Sequence, residues 1–303
     1  EKNITHTARR LFMSQPALSD RLRRLEKEFD CTILIRRPRG IEFTTEGEYL
    51  YHFFSKTFQQ YINTKDALAS KSNVAKGLLR IGCSNVFAKY HMPKLLSQFK
   101  QAYPDIDIQM KSGYSHNRYR DFLEGNLHVC IARGDHNWSE EKRLLWQEPL
   151  CVFNKTPVTI PELVHLPYIH YQTDPVLQSV LDDWWYAHFR RPPKTVIEVD
   201  AMDTALKLVN EKLGFTLLSQ SCGQDTPDIL YQPLTNADGS PILRKTWMYY
   251  RHSYEQLAAV KAFVDFVIHY TQPLLFQSVW FSLRIYNMLV FDILQTVNIL
   301  YLT

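Results

Sequence analysis

The chain has 303 residues, 45% of them hydrophobic and 22% charged, which excludes a disordered or low-complexity protein and leaves room for two or three domains with cores of their own. Its net charge of +4 is unevenly placed: residues 1–40 hold ten Lys or Arg against five Asp or Glu, and the other 263 residues are net −1. A basic head on a near-neutral body points to local contact with a polyanion, while five scattered cysteines without a Cys-x-x-Cys pair give no disulfide framework and no zinc ribbon, as in a reducing cytoplasm.

The chain begins at Glu1 rather than Met, so residues ahead of it are expected, and no secretory signal heads it. Two helices are predicted first, Ile4–Leu11 and Ser14–Phe29, joined by a short turn. In the second, Leu18, Leu22, Leu25 and Phe29 form one narrow apolar stripe at the 3.6-residue period. Ser14 suits the N-cap and Pro16 the first turn. Steps of 100° then place Gln15, Ser19 and Arg23 along one edge of the polar arc, with Pro16 and Asp20 beside them.

Cys31–Ile35 and Ile41–Thr44 read as paired strands across the basic tip Arg36-Arg37-Pro38-Arg39-Gly40, a hairpin wing. Thr45 and Glu48 have capping-box spacing and open a long helix to about Ser70. Its near-heptad seam of Leu50, Phe54, Tyr61 and Leu68, flanked by Phe53 and Phe58, suits packing against a second copy of itself. Lys71–Gly77 is a polar linker.

Strand and helix then alternate, the mark of an α/β layer. Strands are predicted at Leu78–Gly82, Ile106–Lys111, Val129–Arg133 and Pro149–Phe153, with helices at Lys94–Ala102 and Arg118–Glu124. A second round follows, with strands Pro167–Tyr171, Thr195–Val199, Phe215–Ser219, Ile229–Leu234 and Trp247–Arg251, and helices Val176–Phe189 and Met202–Glu211. An amphipathic helix, Tyr254–Tyr270, closes it. In open α/β sheets, ligands sit at the carboxyl ends of strands and at helix N-termini. That rule selects Ser84, Asn85, Ser115, Arg133, Gly134, Gln172, Thr173 and Met202 as one effector cleft, although a lone Ser or Thr at such a place more often only caps a helix.

Other chemistries find little support. His165 with His170, or His136 beside Asp135, fits no standard metal-site spacing. No Ser-His-Asp set has a nucleophile-elbow context, no glycine loop would cradle phosphate, and Cys222 has no partner thiol nearby in sequence. The segment Gln272–Thr303 is apolar but interrupted by Pro273, Arg284 and Asp292, and its charge-free runs 285–291 and 293–303 fall short of the ~20 residues a spanning helix needs. It is an extra packing helix, a membrane-surface segment or a non-native extension, and no membrane partner is expected.

A helix–turn–helix with a basic wing suits DNA, where short polar side chains at a helix N-terminus reach base edges and arginines hold phosphates. The stretches MSQPALSDRLRRLEKEF and ILIRRPRGIEFTTEGEYL resemble the winged helix–turn–helix and linker helix of LysR-type transcriptional regulators. The resemblance continues through GLLRIGCSN, LEGNLHVCIARG and VIEVDAMDTALKLVNEKLGFTLLS, and covers nearly all of 4–270. It implies a mixed fold: a winged helix–turn–helix at 1–44 lacking its first helix, a dimerising linker helix at 45–70, and a two-subdomain α/β effector domain like the type 2 periplasmic binding proteins, made of 78–155 with 252–270 and of 156–251. Residues 271–303 are the tail.

The resemblance further implies a cytoplasmic homodimer, tetrameric through the α/β bodies, that binds a pseudo-palindromic operator on double-stranded DNA and a small-molecule effector, with no cofactor, metal or catalysis. Gln15, Pro16 and Ser19 match the family's groove-facing positions, with Arg23 alongside, and Arg36, Arg37 and Arg39 match its wing. Two residues depart from the family: Asp20, a carboxylate near phosphates unless it pairs with Arg23 or Arg24 or accepts from a cytosine, and His128, where the family usually has an acid. The rival readings are a small-molecule-binding protein with no DNA role and an enzyme using the α/β cleft.

Overall fold

The structure is a computed structural model and describes residues 3–37, 40–69 and 75–271. Arg39 at the wing tip, most of the expected linker and the tail from Gln272 lie outside the described residues. The chain divides into two compact units, residues 1–65 with 124–126, and residues 66–123 with 127–303.

In the first unit, α1 (Ile4–Arg10) and α2 (Gln15–Glu28) are joined by a turn through Phe12, whose φ of 54° is unusual for a residue with a Cβ. The stripe of α2 is only partly covered: Leu18, Leu22 and Leu25 are half-buried and Phe29 is exposed, while Ala8 and Ile33 are buried. The wing strands are β1 (Leu34–Arg37) and β2 (Gly40–Phe43), paired antiparallel with Arg37 opposite Gly40. The first strand therefore starts three residues later than its β-branched run suggests. The Glu26 carboxylate fixes that start by accepting from the Ile33 and Leu34 N–H groups at 2.8 and 3.3 Å.

The long helix α3 (Thr45–Ala69) is capped by Thr44 rather than by Thr45, since the Gly47 N–H donates to Thr44 Oγ1 at 2.9 Å. Gly47 is required there, because a Cβ would lie 2.1 Å from the Ile33 carbonyl oxygen. Along α3, Tyr49, Tyr51, Phe53, Phe54, Phe58 and Tyr61 are exposed, between 40% and 74%.

The second unit is two α/β lobes joined by strands that pass from one to the other. In the first lobe β3 (Gly77–Ser84) runs parallel to β4 (Ile106–Gly113) and β5 (Val129–Arg133), and β11 (Leu243–Tyr250) lies antiparallel between β5 and β6 (Glu141–Asn154). In the second, the far half of β6 pairs with β9 (Thr216–Ser219) and β10 (Leu230–Pro233), while β7 (Pro167–Tyr171) runs parallel to β8 (Lys194–Val199) and forms an isolated bridge from Tyr168 to Phe215, the residue before β9.

Strand alternation assigns each core. On β5, Val129 and Ile131 face the larger first-lobe cluster, and Cys130 and Ala132 the cluster around Phe122 and Tyr249. On β6, Leu150 and Val152 pack with Trp184 and Trp185, and Cys151 and Phe153 with Leu206 and Val209. The helices are α4 (Asn85–Tyr90), α5 (Met92–Ala102), α6 (Ser115–Leu123), α7 (Pro175–His188), α8 (Met202–Asn210) and α9 (residues 258–271). The last helix, expected from Tyr254, begins later, because His252–Gln256 form a 3-10 turn. Among the described residues no helix is long and apolar enough to cross a membrane.

Candidate functional site

On α2 the Ser14 hydroxyl accepts from the Ala17 N–H at 3.3 Å, and Gln15 Nε2 donates to Ser19 Oγ at 3.0 Å, so the two short polar groups of the first turns are held as a pair. Pro16 and Arg23 are exposed on the same helix. Asp20 pairs with Arg24 at 2.8 Å, which masks the carboxylate on an otherwise basic surface. Arg36 and Arg37 are exposed on β1, Arg37 within 3.4 Å of Glu42.

The second unit holds an open cleft built from the carboxyl ends of β3, β4, β5, β7 and β9 and the start of β11. Of the eight residues selected from sequence, Ser84, Asn85, Ser115, Arg133, Thr173 and Met202 line it. Gly134 and Gln172 do not. The Gly134 N–H is committed to the Lys245 carbonyl at 2.9 Å, and Gln172 turns outward to donate to Glu198 at 2.9 Å.

The hydroxyls differ in what they do. Ser115 Oγ accepts from the Arg133 N–H at 3.1 Å, a tie between α6 and β5. Ser84 occupies the N-cap of α4 but makes no capping bond, and its buried Oγ has no partner among the described residues. Asp174 caps α7, accepting from the Leu177 N–H at 3.0 Å. Two buried ion pairs, absent from the sequence reading as pairs, dominate the floor. Arg133 donates to Glu148 at 2.7 Å and to Ser219 Oγ at 2.6 Å, and Arg244 donates to Asp174 at 2.7 Å. Glu148 also accepts from the Ser221 N–H at 2.7 Å and from its hydroxyl. Burial lowers the pKa of Arg244, Asp174 opposes that shift, and the Arg133 charge adds to it. Lys89 of α4 reaches Asp203 and Asp225 of the other lobe, Asp225 at 2.9 Å.

Four of the five thiols are buried, and Cys31 is partly exposed. Burial pushes Cys83 and Cys222 up to about 12, and raises Cys130 and Cys151 as well.

The profile of the LysR substrate binding domain matches residues 72–272, and that of the lysR-family bacterial regulatory helix-turn-helix protein matches residues 1–48. The uncharacterized HTH-type transcriptional regulator YraN of Bacillus subtilis is 35% identical over 267 residues, 88% of this chain and 92% of its own. This chain is a LysR-family transcriptional regulator.

The fold agrees. A full-length OxyR variant from Pseudomonas aeruginosa superposes with a TM-score of 0.62 at 19% identity, covering 88% of this chain and 90% of that one. Full-length CbnR in complex with its target DNA gives 0.63 at 18% identity, covering 88% and 94%. This LysR regulator therefore combines a DNA-binding helix–turn–helix with a two-lobed effector-binding domain like the periplasmic binding proteins.

His128 shows how this LysR regulator accommodates its departure from the usual acid. The imidazole is fully buried and its Nδ1 accepts from the Arg80 N–H at 3.2 Å, with Nε2 2.9 Å from the Arg80 guanidinium. Burial, then the Arg80 charge, pulls its pKa from 6.5 down to about 3. The neutral ring is the folded form, so its contribution to stability is complete above pH 6.5 and is lost as pH falls toward 3. Burial lowers His91 and His136 in the same sense. Urea midpoints should drop between about pH 7.5 and 5, with about 2 kcal/mol from His128 alone, and His128→Gln should remove that share. An equal drop in the variant would refute the assignment.

Proposed function

We propose that this regulator acts in the cytoplasm, without catalysis, as a homodimer joined through residues 45–70, with residues 1–44 as its DNA-reading head. Gln15, Pro16, Ser19 and Arg23 face the major groove, and Arg36, Arg37 and Arg39 hold the phosphate backbone. The α/β unit is the sensor, its lobes being 78–155 with 252–270 and 156–251. A small effector enters the cleft against Ser84, Asn85, Ser115, Arg133, Thr173 and Met202.

The observation that carries the dimer is the exposed aromatic arc of Tyr51, Phe54, Phe58 and Tyr61 on α3. A single chain leaves that much ring surface in water, and a second copy of the same helix covers it by two-fold symmetry. Phe58 and Tyr61, 65% and 61% exposed with ring centroids 6.5 Å apart, are the place to break it. Phe58→Glu with Tyr61→Glu should convert the dimer to monomer in sedimentation equilibrium, and operator affinity should fall because one head reads only one half-site. A double variant that stays dimeric would remove α3 from the interface.

A further inference from the structure

The cleft has more hydrogen-bond donors than its own acceptors use. Asp174 in the lining and Glu148 behind Arg133 already accept on every oxygen: Glu148 from Arg133 and from the Ser221 N–H and hydroxyl, Asp174 from the Leu177 N–H and from Arg244. By contrast, the Nε atoms of Arg133 and Arg244 and the Oγ of Ser84 are buried without a partner among the described residues. These three residues are each 5% exposed or less, and all three line the cleft. A guanidinium N–H can only donate, so an occupant that satisfies both arginines must bring acceptors. The rest of the wall sets the apolar side chains of Val86, Leu177, Met202 and Leu218 beside polar ones such as Asn85, Thr173 and Ser219.

We infer that the effector is a compact organic acid, its carboxylate taken by the unpartnered N–H groups of Arg133 or Arg244 together with the Ser84 hydroxyl, and its short apolar body laid against Leu177, Met202 and Leu218. The inference rests on the cleft being the effector site. A planar guanidinium edge matches a carboxylate in geometry and charge. A carboxamide offers the same guanidinium only a neutral carbonyl oxygen, a weaker partner than a charged carboxylate.

Calorimetric titration of the full chain tests this, using acetate, butyrate, succinate and benzoate, each against its own amide at matched ionic strength. At least one acid should bind saturably and about tenfold or more tighter than its amide. Arg244→Gln should weaken that acid about tenfold. Ser84→Ala, which removes no bond present in the empty cleft, should weaken it several-fold without lowering the unliganded melting temperature. Thr173→Trp, at a half-buried position of the rim, should block it. An amide that matches its acid, and is lost in Thr173→Trp, leaves the cleft as the site and overturns the acid. An acid that binds wild type and Thr173→Trp alike overturns the cleft reading instead. Saturable binding of none of the four acids, or of inorganic phosphate alone, overturns the organic acid.

Discussion

Replacing Glu148 by Ala is expected to destabilise the α/β unit by about 3–5 kcal/mol, the usual cost of leaving one partner of a buried ion pair uncompensated. Glu148 is 5% exposed and holds Arg133, which is buried to the same extent. Removing it strands a guanidinium close enough to Arg244 for the two charges to oppose each other, and also frees the Ser221 N–H and hydroxyl. Urea unfolding followed by tryptophan fluorescence reads the loss, with Trp146 two residues away on β6. Glu148→Gln should fall between wild type and Glu148→Ala, because its amide oxygen still accepts from one side while its NH2 meets donors on the other. Glu148→Leu combined with Arg133→Met should be milder than Glu148→Ala alone, since no charge is then stranded. A Glu148→Ala midpoint equal to that of wild type would mean that the pair does not organise the cleft floor.

The head should separate sequence reading from backbone grip. Gln15→Ala and Ser19→Ala are each expected to narrow the gap between operator and random duplex by roughly 1–3 kcal/mol, the usual worth of a well-made hydrogen-bonded pairing with a base edge. Because Gln15 donates to Ser19, the two effects should not add, each single variant already disturbing the other side chain. Arg36→Ala with Arg37→Ala should instead weaken all duplexes alike and flatten the salt dependence, lowering the slope of log affinity against log salt by about 2. Equal weakening on specific and random DNA would take Gln15 and Ser19 out of the readout, and an unchanged slope would take the wing off the phosphates.

Local pattern made part of this molecule legible. Leu18, Leu22 and Leu25 repeat at the helical period, and α2 lies where they place it. Val129–Arg133, a continuous apolar run ending in Arg, is β5 as read. What escaped depends on partners distant in sequence. The first half of β6, Glu-Lys-Arg-Leu-Leu-Trp-Gln-Glu, has no alternation and is a strand because β11, a hundred residues on, pairs with it through Tyr250 opposite Glu141. Pro149, which reads as a strand start, instead marks where β6 passes from β11 to β9 and β10. The cleft hydroxyls were findable because strand ends are local features. Arg244 was not, since its partner Asp174 lies 70 residues away and nothing around a single Arg in Ile-Leu-Arg-Lys announces a buried pair.

Selection of binding sites from a pool of random duplexes by the full chain tests the central claim most directly. Two copies of α2 related by a two-fold axis must meet successive major grooves, so the enriched site should hold two similar half-sites in inverted orientation, their centres about 34–36 Å apart or a multiple of it. That enrichment should disappear for Gln15→Ala with Ser19→Ala while salt-dependent binding persists. Enrichment of no sequence, or of a site without inverted symmetry that the Gln15 and Ser19 variants still select, would contradict a dimeric regulator reading DNA through this helix.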